Sequence, residues 1–554
     1  MKKFMTLSMT LSCLLAICSV PKAEEDSLKI SKENIQNAET VIGLELTDSE
    51  RDSLLADASY NLDLYELARQ TTIDNSIPPA LYFNPLPLGF EIDKDQKEIV
   101  YSEVEVRRPE NLNDLAYYSV RELGELIRTR QVTSMELTQL ALVRLKTFDP
   151  VLHCVITLTE ELALKQAAQA DQEIAAGNYR GPLHGIPFGA KDLLAHKGYK
   201  TSWGAMPYKD QTIDYDATVL RKLEEAGAVL VAKLTLGALA WGDVWFADTT
   251  RNPWNIEQGS SGSSAGSASA VSAGLLPFAI GTETWGSIVS PSTRCGTTGL
   301  RPTYGRVSRD GAMALSWTMD KIGPICRTVE DCAIVFDAIR GEDPNDLSLV
   351  EAAFNYSPEI DLTKLRVGYL KSDFENDTSY IDNNEAALKV IADLGVELIP
   401  IELPDFPISA MEIILSAEAA AAFDDLTRSN RDDLMVRQVR DAWPNVFRAS
   451  RFIPAVEYIQ ANRLRTLVIN KMTKIFETVD LYIAPSFEGH NLLLTNLTSH
   501  PCVVLPDGFD EEGSPTSICF IGNLFDEATV LAFAKKYQDA TDWHQQHPEQ
   551  FSGR

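Results

Sequence analysis

The chain has 554 residues, of which 45% are hydrophobic and 23% are charged, and its formal net charge at pH 7 is −29. This composition argues against bulk disorder, and the length allows a sizeable buried core. The acidic balance argues against nucleic acid as a partner, because a surface of this sign repels phosphate groups.

The first predicted element is a signal peptide over residues 1–23. The sequence MKKFMTLSMTLSCLLAICSVPKAEED places two lysines before a mostly apolar run and small residues after it, which is typical of secretion signals. A membrane anchor would need a longer apolar run and a basic flank in place of the acidic one. We therefore expect a periplasmic or secreted protein without stable membrane insertion. A lipid anchor on Cys18 is the weaker alternative, because Ile17 is a poor residue before a lipidated cysteine.

The second predicted segment, residues 24–110, is an acidic N-terminal extension and not a catalytic unit. Its stretch SIPPALYFNPLPLGFE, residues 76–91, combines clustered prolines with aromatic residues. Proline restricts its own backbone and that of the preceding residue to extended conformations. We expect this stretch to form an extended strap that lies on another surface.

Helices and strands are predicted to alternate from Asn111 onward. The stretches SVRELGELIRTRQ and TSMELTQLALVRLKTF have the hydrophobic spacing of amphipathic helices, and Thr133 and Glu136 form a capping-box pattern in the second. Further along, ATVLRKLEEAGAVLVAKLT indicates a helix, a glycine stop and an apolar strand. This alternation favours a covered mixed or parallel sheet.

Cysteine and histidine usage predicts neither a disulfide framework nor a metal site. Six of the eight cysteines follow the signal segment, and Cys154, Cys332 and Cys502 lie in apolar sequences that are typical of buried free thiols. One disulfide bridge stays an open alternative, because exported proteins can form disulfides. The sequence has no CxxC pair, and its seven histidines have no HExxH or comparable spacing. We expect no metal and no cofactor.

The stretch GSSGSSAGSAS, residues 259–269, has three interpretations: a linker, a phosphate-binding loop or the seat of a reactive serine. A linker is disfavoured because apolar sequence follows at once. The lysine of a Walker loop and the GxGxxG of a dinucleotide site are both missing. Residues 262–266 match the GxSxG nucleophile elbow with Ser264 at the centre, but the required buried strand does not precede them.

A second reactive serine fits its surroundings better. The apolar strand LLPFAI leads into GTETWGSIVSPS, a tight turn that carries Ser287. The turn offers backbone N–H groups for a developing oxyanion, namely those of Thr284, Trp285, Gly286 and Ser287. No histidine has a suitable context as a base. Lys191, in the apolar stretch LHGIPFGAKDLL, is a candidate because desolvation lowers the pKa of an amine and favours its neutral form.

Three motifs together resemble the amidase signature family: GIPFGAKD, SSGSSAGSASAVSAGLLPFAIGTETWGSI and GLRPTYGRVSRDG. The resemblance continues over about residues 111–550. It implies that Lys191 is the general base, Ser263 the bridging serine after a cis peptide bond, and Ser287 the nucleophile. It also implies an oxyanion hole from the four N–H groups of residues 284–287. Supporting positions would be Gly262, Ser264 and Asp192.

The resemblance also implies a fold and a reaction. The fold is one large α/β domain, residues 111–554, with a twisted mixed sheet covered by helices. The reaction is hydrolysis of a linear carboxylic amide, in a small molecule or a peptide, to a carboxylate and ammonia or an amine through an acyl-enzyme. Trp285 replaces the Gly or Asp usual in the family, so we expect its ring to form a wall of the acyl pocket.

Two alternatives to this amidase interpretation stay open. Within the family, the chain could be the glutaminase component of the tRNA-dependent amidotransferase. The export signal, the long extension and the acidic charge count against it. The other is an inactive exported binding protein that keeps the amidase fold. The complete set of Lys191, Ser263 and Ser287 argues against that alternative.

Overall fold

The computed structural model describes residues 29–552, which fall into two compact units divided between Ile73 and Asp74. The first unit contains two helices, α1 (Lys32–Ile42) and α2 (Asp48–Ala68). The predicted signal peptide and Cys18 lie outside the described residues. Within the described range, no helix combines the length and apolar character that a membrane crossing requires.

The larger unit is built on one long sheet with helices packed against it. The strands are β1 (Val155–Leu158), β2 (Pro187–Lys191), β3 (Val229–Leu234), β4 (Arg251–Asn252), β5 (Asn255–Gly259), β6 (Phe278–Glu283), β7 (Thr298–Arg301), β8 (Lys321–Cys326), β9 (Val367–Leu370), β10 (Leu398–Ile401), β11 (Leu481–Pro485), β12 (Cys502–Phe509) and β13 (Pro515–Gly522). The helices are α3 (Val120–Arg128), α4 (Ser134–Leu152), α5 (Glu160–Ala175), α6 (Thr218–Glu225), α7 (Ala265–Ser272), α8 (Val289–Cys295), α9 (Val329–Ile339), α10 (Lys371–Asn376), α11 (Ile381–Asp393), α12 (Glu412–Ala422), α13 (Asp424–Arg428), α14 (Trp443–Ser450), α15 (Ala455–Phe476), α16 (Asn491–Thr498) and α17 (Glu527–Asp539).

The sheet is mixed, which confirms the predicted fold class. Its 11 strands follow the order β1-β3-β2-β6-β8-β7-β12-β13-β11-β9-β10, and β4 pairs with β5 apart from it. Strand β2 is parallel to both β3 and β6, and β9 is parallel to both β10 and β11, while the other pairs are antiparallel. Helix α4 begins with the predicted capping box of Thr133 and Glu136.

The central strands carry apolar side chains on both faces because helices cover both. Strands β2, β3, β6 and β8 are buried at every position. Phe188 and Phe278 stack across the β2–β6 pair with ring centroids 5.2 Å apart. All six cysteines in the described range are buried and free. No group of acidic, histidine or cysteine side chains in that range is arranged to hold a metal ion.

Residues 74–110 have neither helix nor strand, and we call them the strap because they include the extended stretch expected at residues 76–91. Asn75 pairs with both backbone groups of Ala314, and the ring of Phe83 packs edge-on against Tyr304 with centroids 5.3 Å apart. Further along, Val100 donates its N–H to the Tyr356 carbonyl at 3.0 Å. Within the predicted extension, the two helices thus belong to the smaller unit, whereas the strap is part of the larger unit.

Candidate active site

Two neighbouring parallel strands bring the predicted base and nucleophile segments together. Strand β2 ends at Lys191, and β6 ends at Glu283, directly before the turn of residues 284–287. Because β2 and β6 pair in parallel, with Ala190 opposite Ile280, their carboxyl ends meet at the same edge of the sheet. The Gly/Ser/Ala stretch reaches this edge as it enters α7, which begins at Ala265.

Lys191 lies at the centre of this arrangement and is fully buried. Its Nζ atom is 2.8 Å from Ser263 Oγ, 3.1 Å from Ser264 Oγ and 2.8 Å from the hydroxyl of Thr282. Burial lowers the pKa of Lys191 well below its ordinary value of 10.5, although the charges of Asp320 and Glu283 act in the opposite direction. Burial therefore favours the neutral amine, which is the form that can accept a proton.

Ser263 follows a cis peptide bond from Gly262, as the family resemblance implied. Gly262 sits so close to the neighbouring chain that a Cβ atom there would lie 1.9 Å from the carbonyl oxygen of Gly242. Only glycine fits this contact. The neighbouring Ser264 hydroxyl is engaged with both backbone groups of Thr282, at 3.1 Å each. Ser264 thus supports the lysine environment, and its hydroxyl has little freedom to attack a substrate.

Ser287 joins the cluster through its backbone. Its carbonyl oxygen accepts the N–H of Ser264 at 3.2 Å, and Ser287 and Gly262 line the same cavity. Within residues 29–552, the Ser287 hydroxyl has no hydrogen-bond partner, so its contact with Ser263 is not formed here. Catalytic hydrogen bonds are often long before substrate binds.

The turn before Ser287 leaves its donors free. Among the described residues, none accepts the backbone N–H groups of Thr284, Trp285, Gly286 or Ser287. The turn depends on Gly286, whose φ of 82° is a left-handed value that glycine adopts without strain. Four free N–H groups around a serine can stabilise a developing oxyanion.

The turn opens on a cavity of about 520 Å³ with mostly apolar walls. Trp241, Trp285 and Trp443 supply aromatic surface, and residues 284–287 form part of its floor. Trp285 is 39% exposed and lines the cavity. A cavity of this size accommodates a small organic substrate.

The family model described as Amidase matches residues 136–494, more than half of the chain. The chain belongs to the amidase signature family. The A component of glutamyl-tRNA(Gln) amidotransferase from Coxiella burnetii (strain Dugway 5J108-111) is 34% identical to this amidase over 479 residues, which cover 78% of this chain and 99% of that protein. This match confirms the family assignment.

Solved structures give the same family assignment. Native peptide amidase from Stenotrophomonas maltophilia is 28% identical with a TM-score of 0.70, and the match covers 77% of this amidase and 97% of that chain. An amidase family protein from Bacillus anthracis str. Ames is 26% identical with a TM-score of 0.68, covering 78% and 92% respectively. Both matches cover less than four fifths of this chain but more than nine tenths of the other chain.

The amidase holds its nucleophile turn with a buried ion pair that the sequence analysis missed. One oxygen of the Glu283 carboxylate accepts the N–H groups of Ile288 and Val289 at 2.7 and 3.0 Å. The other pairs with Arg301 at 2.8 Å, and both side chains are fully buried. Burial by itself raises the pKa of Glu283, but Arg301 outweighs this effect and lowers the pKa to about 2. An acid inside an apolar strand was the available signal, since a buried charge requires a partner.

A second missed residue, Asp320, supports the other end of the turn. Its carboxylate accepts the Thr284 hydroxyl at 2.6 Å and the N–H groups of Leu315 and Ser316 at 2.8 and 2.9 Å. This contact fixes the first residue of the oxyanion turn to a neighbouring loop. No local pattern marks Asp320 as part of the site, because Thr284, the turn residue that it binds, lies 36 residues away in the sequence.

Asp192 points away from the base and orders the following loop. It pairs with the buried Lys233 at 2.7 Å and accepts the N–H and hydroxyl of Ser202 at 2.8 and 2.5 Å. Asp192, which was predicted as a supporting residue, therefore orders the loop and does not contact the Lys191 amine.

Proposed function

We propose that this protein hydrolyses a linear carboxylic amide to a carboxylate and ammonia or an amine, through an acyl-enzyme on Ser287. The observation that carries the proposal is the fully buried Lys191 amine, 2.8 Å from the Ser263 hydroxyl. It lies beside a turn with four free N–H groups. A general base, a relay and an oxyanion site are the components that acyl transfer requires.

The proposed reaction begins with proton transfer to the neutral Lys191. The amine takes the Ser263 proton while Ser263 takes that of Ser287, whose oxygen attacks the amide carbonyl carbon. The N–H groups of residues 284–287 hold the resulting oxyanion. The carbon–nitrogen bond then breaks as the relay returns its proton to the leaving nitrogen, and an ester to Ser287 remains. Water attacks this ester by the same relay and releases the carboxylate.

This sequence of steps requires Ser263 and Ser287 to form a hydrogen bond that the structure does not contain. The two residues already lie at one cavity, and the Ser264 N–H ties the Ser287 carbonyl to the relay segment at 3.2 Å. The proposed relay therefore includes a rotation of the Ser287 side chain that brings its hydroxyl to Ser263.

A second candidate is the glutaminase component of the tRNA-dependent amidotransferase, favoured by the 34% identity to the protein from Coxiella burnetii. Glutamine carries an α-carboxylate, which a glutaminase site would neutralise with a cation. The residues that line the described cavity include one carboxylate, Glu412, and no cation. This charge pattern favours the amide hydrolase over the glutaminase component. Equal rates of ammonia release from glutamine and from uncharged amides would favour the amide hydrolase further.

We also propose that the enzyme acts outside the cytoplasm on small-molecule or peptide amides. The support for this location is the N-terminal sequence of residues 1–23, with its two lysines and its apolar run. Fractionation of cells and N-terminal sequencing of the mature protein test this location. Cytoplasmic protein that retains Met1 would contradict it.

The decisive experiment measures ammonia release from a panel of primary amides, together with the mass of the protein during turnover. Ser287→Ala is expected to abolish both ammonia release and the acyl adduct, and Lys191→Ala to slow both by about three or more orders of magnitude. Ser264→Ala is the matched control, because it removes a neighbouring serine that the GxSxG interpretation would make the nucleophile. An adduct that survives in Ser287→Ala, or no turnover by the unaltered enzyme, would refute the proposal and favour the inactive binding protein.

A further inference from the structure

The active-site cavity carries a single unbalanced charge. Among the residues that line it, Glu412 is the sole ionisable side chain. Arg437 lies beside Gly242 but does not line the cavity, and its guanidinium is directed to the Asp441 carbonyl at 3.4 Å. A ligand in this cavity therefore meets one carboxylate and no cation among the residues that line it.

Glu412 is the first residue of α12 and is half-buried. Its side chain makes no hydrogen bond or ion pair with any described residue. Glu418, on the same helix, is fully occupied: it accepts from Ser316 at 2.6 Å and from Tyr458 at 2.8 Å. One glutamate of α12 thus serves the fold, whereas the other is left free at the substrate cavity.

The cavity that Glu412 lines also has rigid aromatic rings in its walls. The indole N–H of Trp443 donates to the Leu239 carbonyl at 2.9 Å, and its ring stacks on Phe447 with centroids 5.0 Å apart. Trp241 packs edge-on against Trp443 at 4.7 Å. Indole faces attract cations through the ring quadrupole, more strongly than other aromatic faces do. The cavity thus joins a free carboxylate with surfaces that favour a positively charged group.

We infer that this enzyme selects amides whose acyl portion carries a cationic nitrogen, with Glu412 as its counterion and the indole rings as its walls. The inference rests on the proposed amide hydrolysis at Ser287. In a primary amide the leaving group is ammonia, so the acyl portion is the part that fills a cavity of about 520 Å³. The charged nitrogen would bind at Glu412 while the carbonyl group reaches the turn of residues 284–287.

A purely structural role for Glu412 makes a different prediction. A carboxylate in the first turn of a helix stabilises that helix through the macrodipole. In that case its removal would lower stability and leave the preference for substrate charge unchanged. The readout that separates the two roles is therefore the ratio of binding between ligands that differ in charge alone.

The test uses Ser287→Ala protein, which binds amides without turning them over, and follows tryptophan fluorescence. The ligands are 6-aminohexanamide, heptanamide and adipic monoamide, which share a chain of similar length and carry a positive, no and a negative charge. We expect the cationic amide to bind about tenfold more tightly than heptanamide, and the anionic one more weakly than both. Raising the salt concentration should shrink this preference. Equal binding of the three ligands would overturn the inference.

Variants of Glu412 locate the preference. In the Ser287→Ala background, Glu412→Gln should reduce the cationic-to-neutral ratio about tenfold, whereas Glu412→Asp should retain most of it. Glu457→Gln is the matched control, because Glu457 is also in the first turn of a helix but is exposed and away from the cavity. A preference that persists in Glu412→Gln, or disappears in Glu457→Gln, would overturn the assignment.

Turnover by the unaltered enzyme separates this inference from the proposed function. If it hydrolyses 6-aminohexanamide with a higher kcat/KM than heptanamide, both are supported. If it hydrolyses heptanamide at least as well, the amide hydrolase stands and the charge selection fails. If it hydrolyses neither, the proposed function fails, and the binding ratios still decide whether Glu412 selects a cation.

Discussion

At the scale of single residues, the site depends on keeping one lysine uncharged. Lys191 is surrounded by hydroxyl groups, and it pairs with no carboxylate in the described part of the chain. Hydroxyl partners satisfy an amine without stabilising its charge as a carboxylate would. The neighbouring Asp192 is instead occupied by Lys233. Because Asp192 is paired with Lys233, it does not hold a proton on Lys191, and Lys191 stays available as a base.

A buried neutral lysine has a consequence for stability. In the unfolded chain Lys191 binds a proton below its ordinary pKa of 10.5, whereas in the folded protein its pKa is well below that value. The folded state then binds one proton fewer, so the stability of the unaltered protein falls by about 1.4 kcal/mol per pH unit as the pH decreases from 10.5 toward the lowered pKa. Lys191→Met lacks this dependence. Its free energy of unfolding, relative to that of the unaltered protein, should therefore rise by about 1.4 kcal/mol for each unit by which the pH decreases in this range. Urea unfolding at several pH values measures it; parallel curves would show that Lys191 is charged in the folded protein.

Trp285 is expected to restrict the acyl group at the cavity. Trp285→Gly keeps the backbone N–H but removes an exposed wall, so kcat/KM for amides with branched or bulky acyl groups should rise about tenfold relative to small ones. Trp285→Phe keeps an aromatic wall and serves as the control. Ammonia release from a graded series of acyl sizes gives the ratios. Identical ratios in all three proteins would remove the support for this role.

Sequence motifs predicted the reactive groups of this site better than they predicted the residues that surround and hold those groups. Lys191, Ser263 and residues 284–287 lie in short contiguous patterns, so sequence alone could predict them. Glu412 and Asp320 lie in segments without such a pattern, and the structure alone places them at the cavity and the turn. A local motif specifies chemistry, whereas packing between distant segments decides which charges meet the ligand.

At the scale of elements, the turn from β6 to α8 depends on the Glu283–Arg301 pair. Glu283 ends β6 and accepts two N–H groups from the start of α8, while Arg301 ends β7 and also donates to the His500 carbonyl at 3.0 Å. One carboxylate thereby connects two strands and a helix directly behind Ser287. The sequence indicated strand β6 and the turn after it. It did not indicate that β6 pairs with β8 and β8 with β7, because these pairings join segments that are distant in the sequence.

Breaking this pair should be costly. Arg301→Met leaves the Glu283 charge buried without its partner, so we expect a loss of about 3–5 kcal/mol in the free energy of unfolding. Because folding lowers the pKa of Glu283 from 4.5 to about 2, the stabilisation by the pair is fully present above pH 4.5 and is lost progressively as the pH falls from 4.5 to about 2. Arg366→Met is the control: it breaks an exposed ion pair with Asp480 and should cost less than about 1 kcal/mol. Urea unfolding at neutral pH measures both, and similar small losses would contradict the role of the buried pair.

At the scale of the whole molecule, the strap of residues 74–110 extends the compact unit beyond the matched family region. Asn75 binds the backbone of Ala314 and of Ala422, the last residue of α12. The Arg465 guanidinium lies 3.5 Å from the ring centre of Phe83. Proline and aromatic content predicted an extended strap, but a strap has no periodicity that would identify the surface it contacts. The boundary at residue 110 therefore stays a prediction that truncation can test.

Two truncated chains distinguish the strap from the helical pair that precedes it. A chain that starts at Asp74 keeps every contact of Asn75 and Phe83 and should unfold at the same urea concentration as the mature protein, since residues 29–73 form their own compact unit. A chain that starts at Asn111 loses the Asn75 hydrogen bonds and the Phe83 packing, and we expect it to be less stable by at least about 2 kcal/mol. Asn75 also reaches α12, whose first residue is Glu412, so the shorter chain should lose amidase activity together with stability. Equal stability of the two truncated chains would show that the strap contacts contribute nothing and that the catalytic unit begins at residue 111.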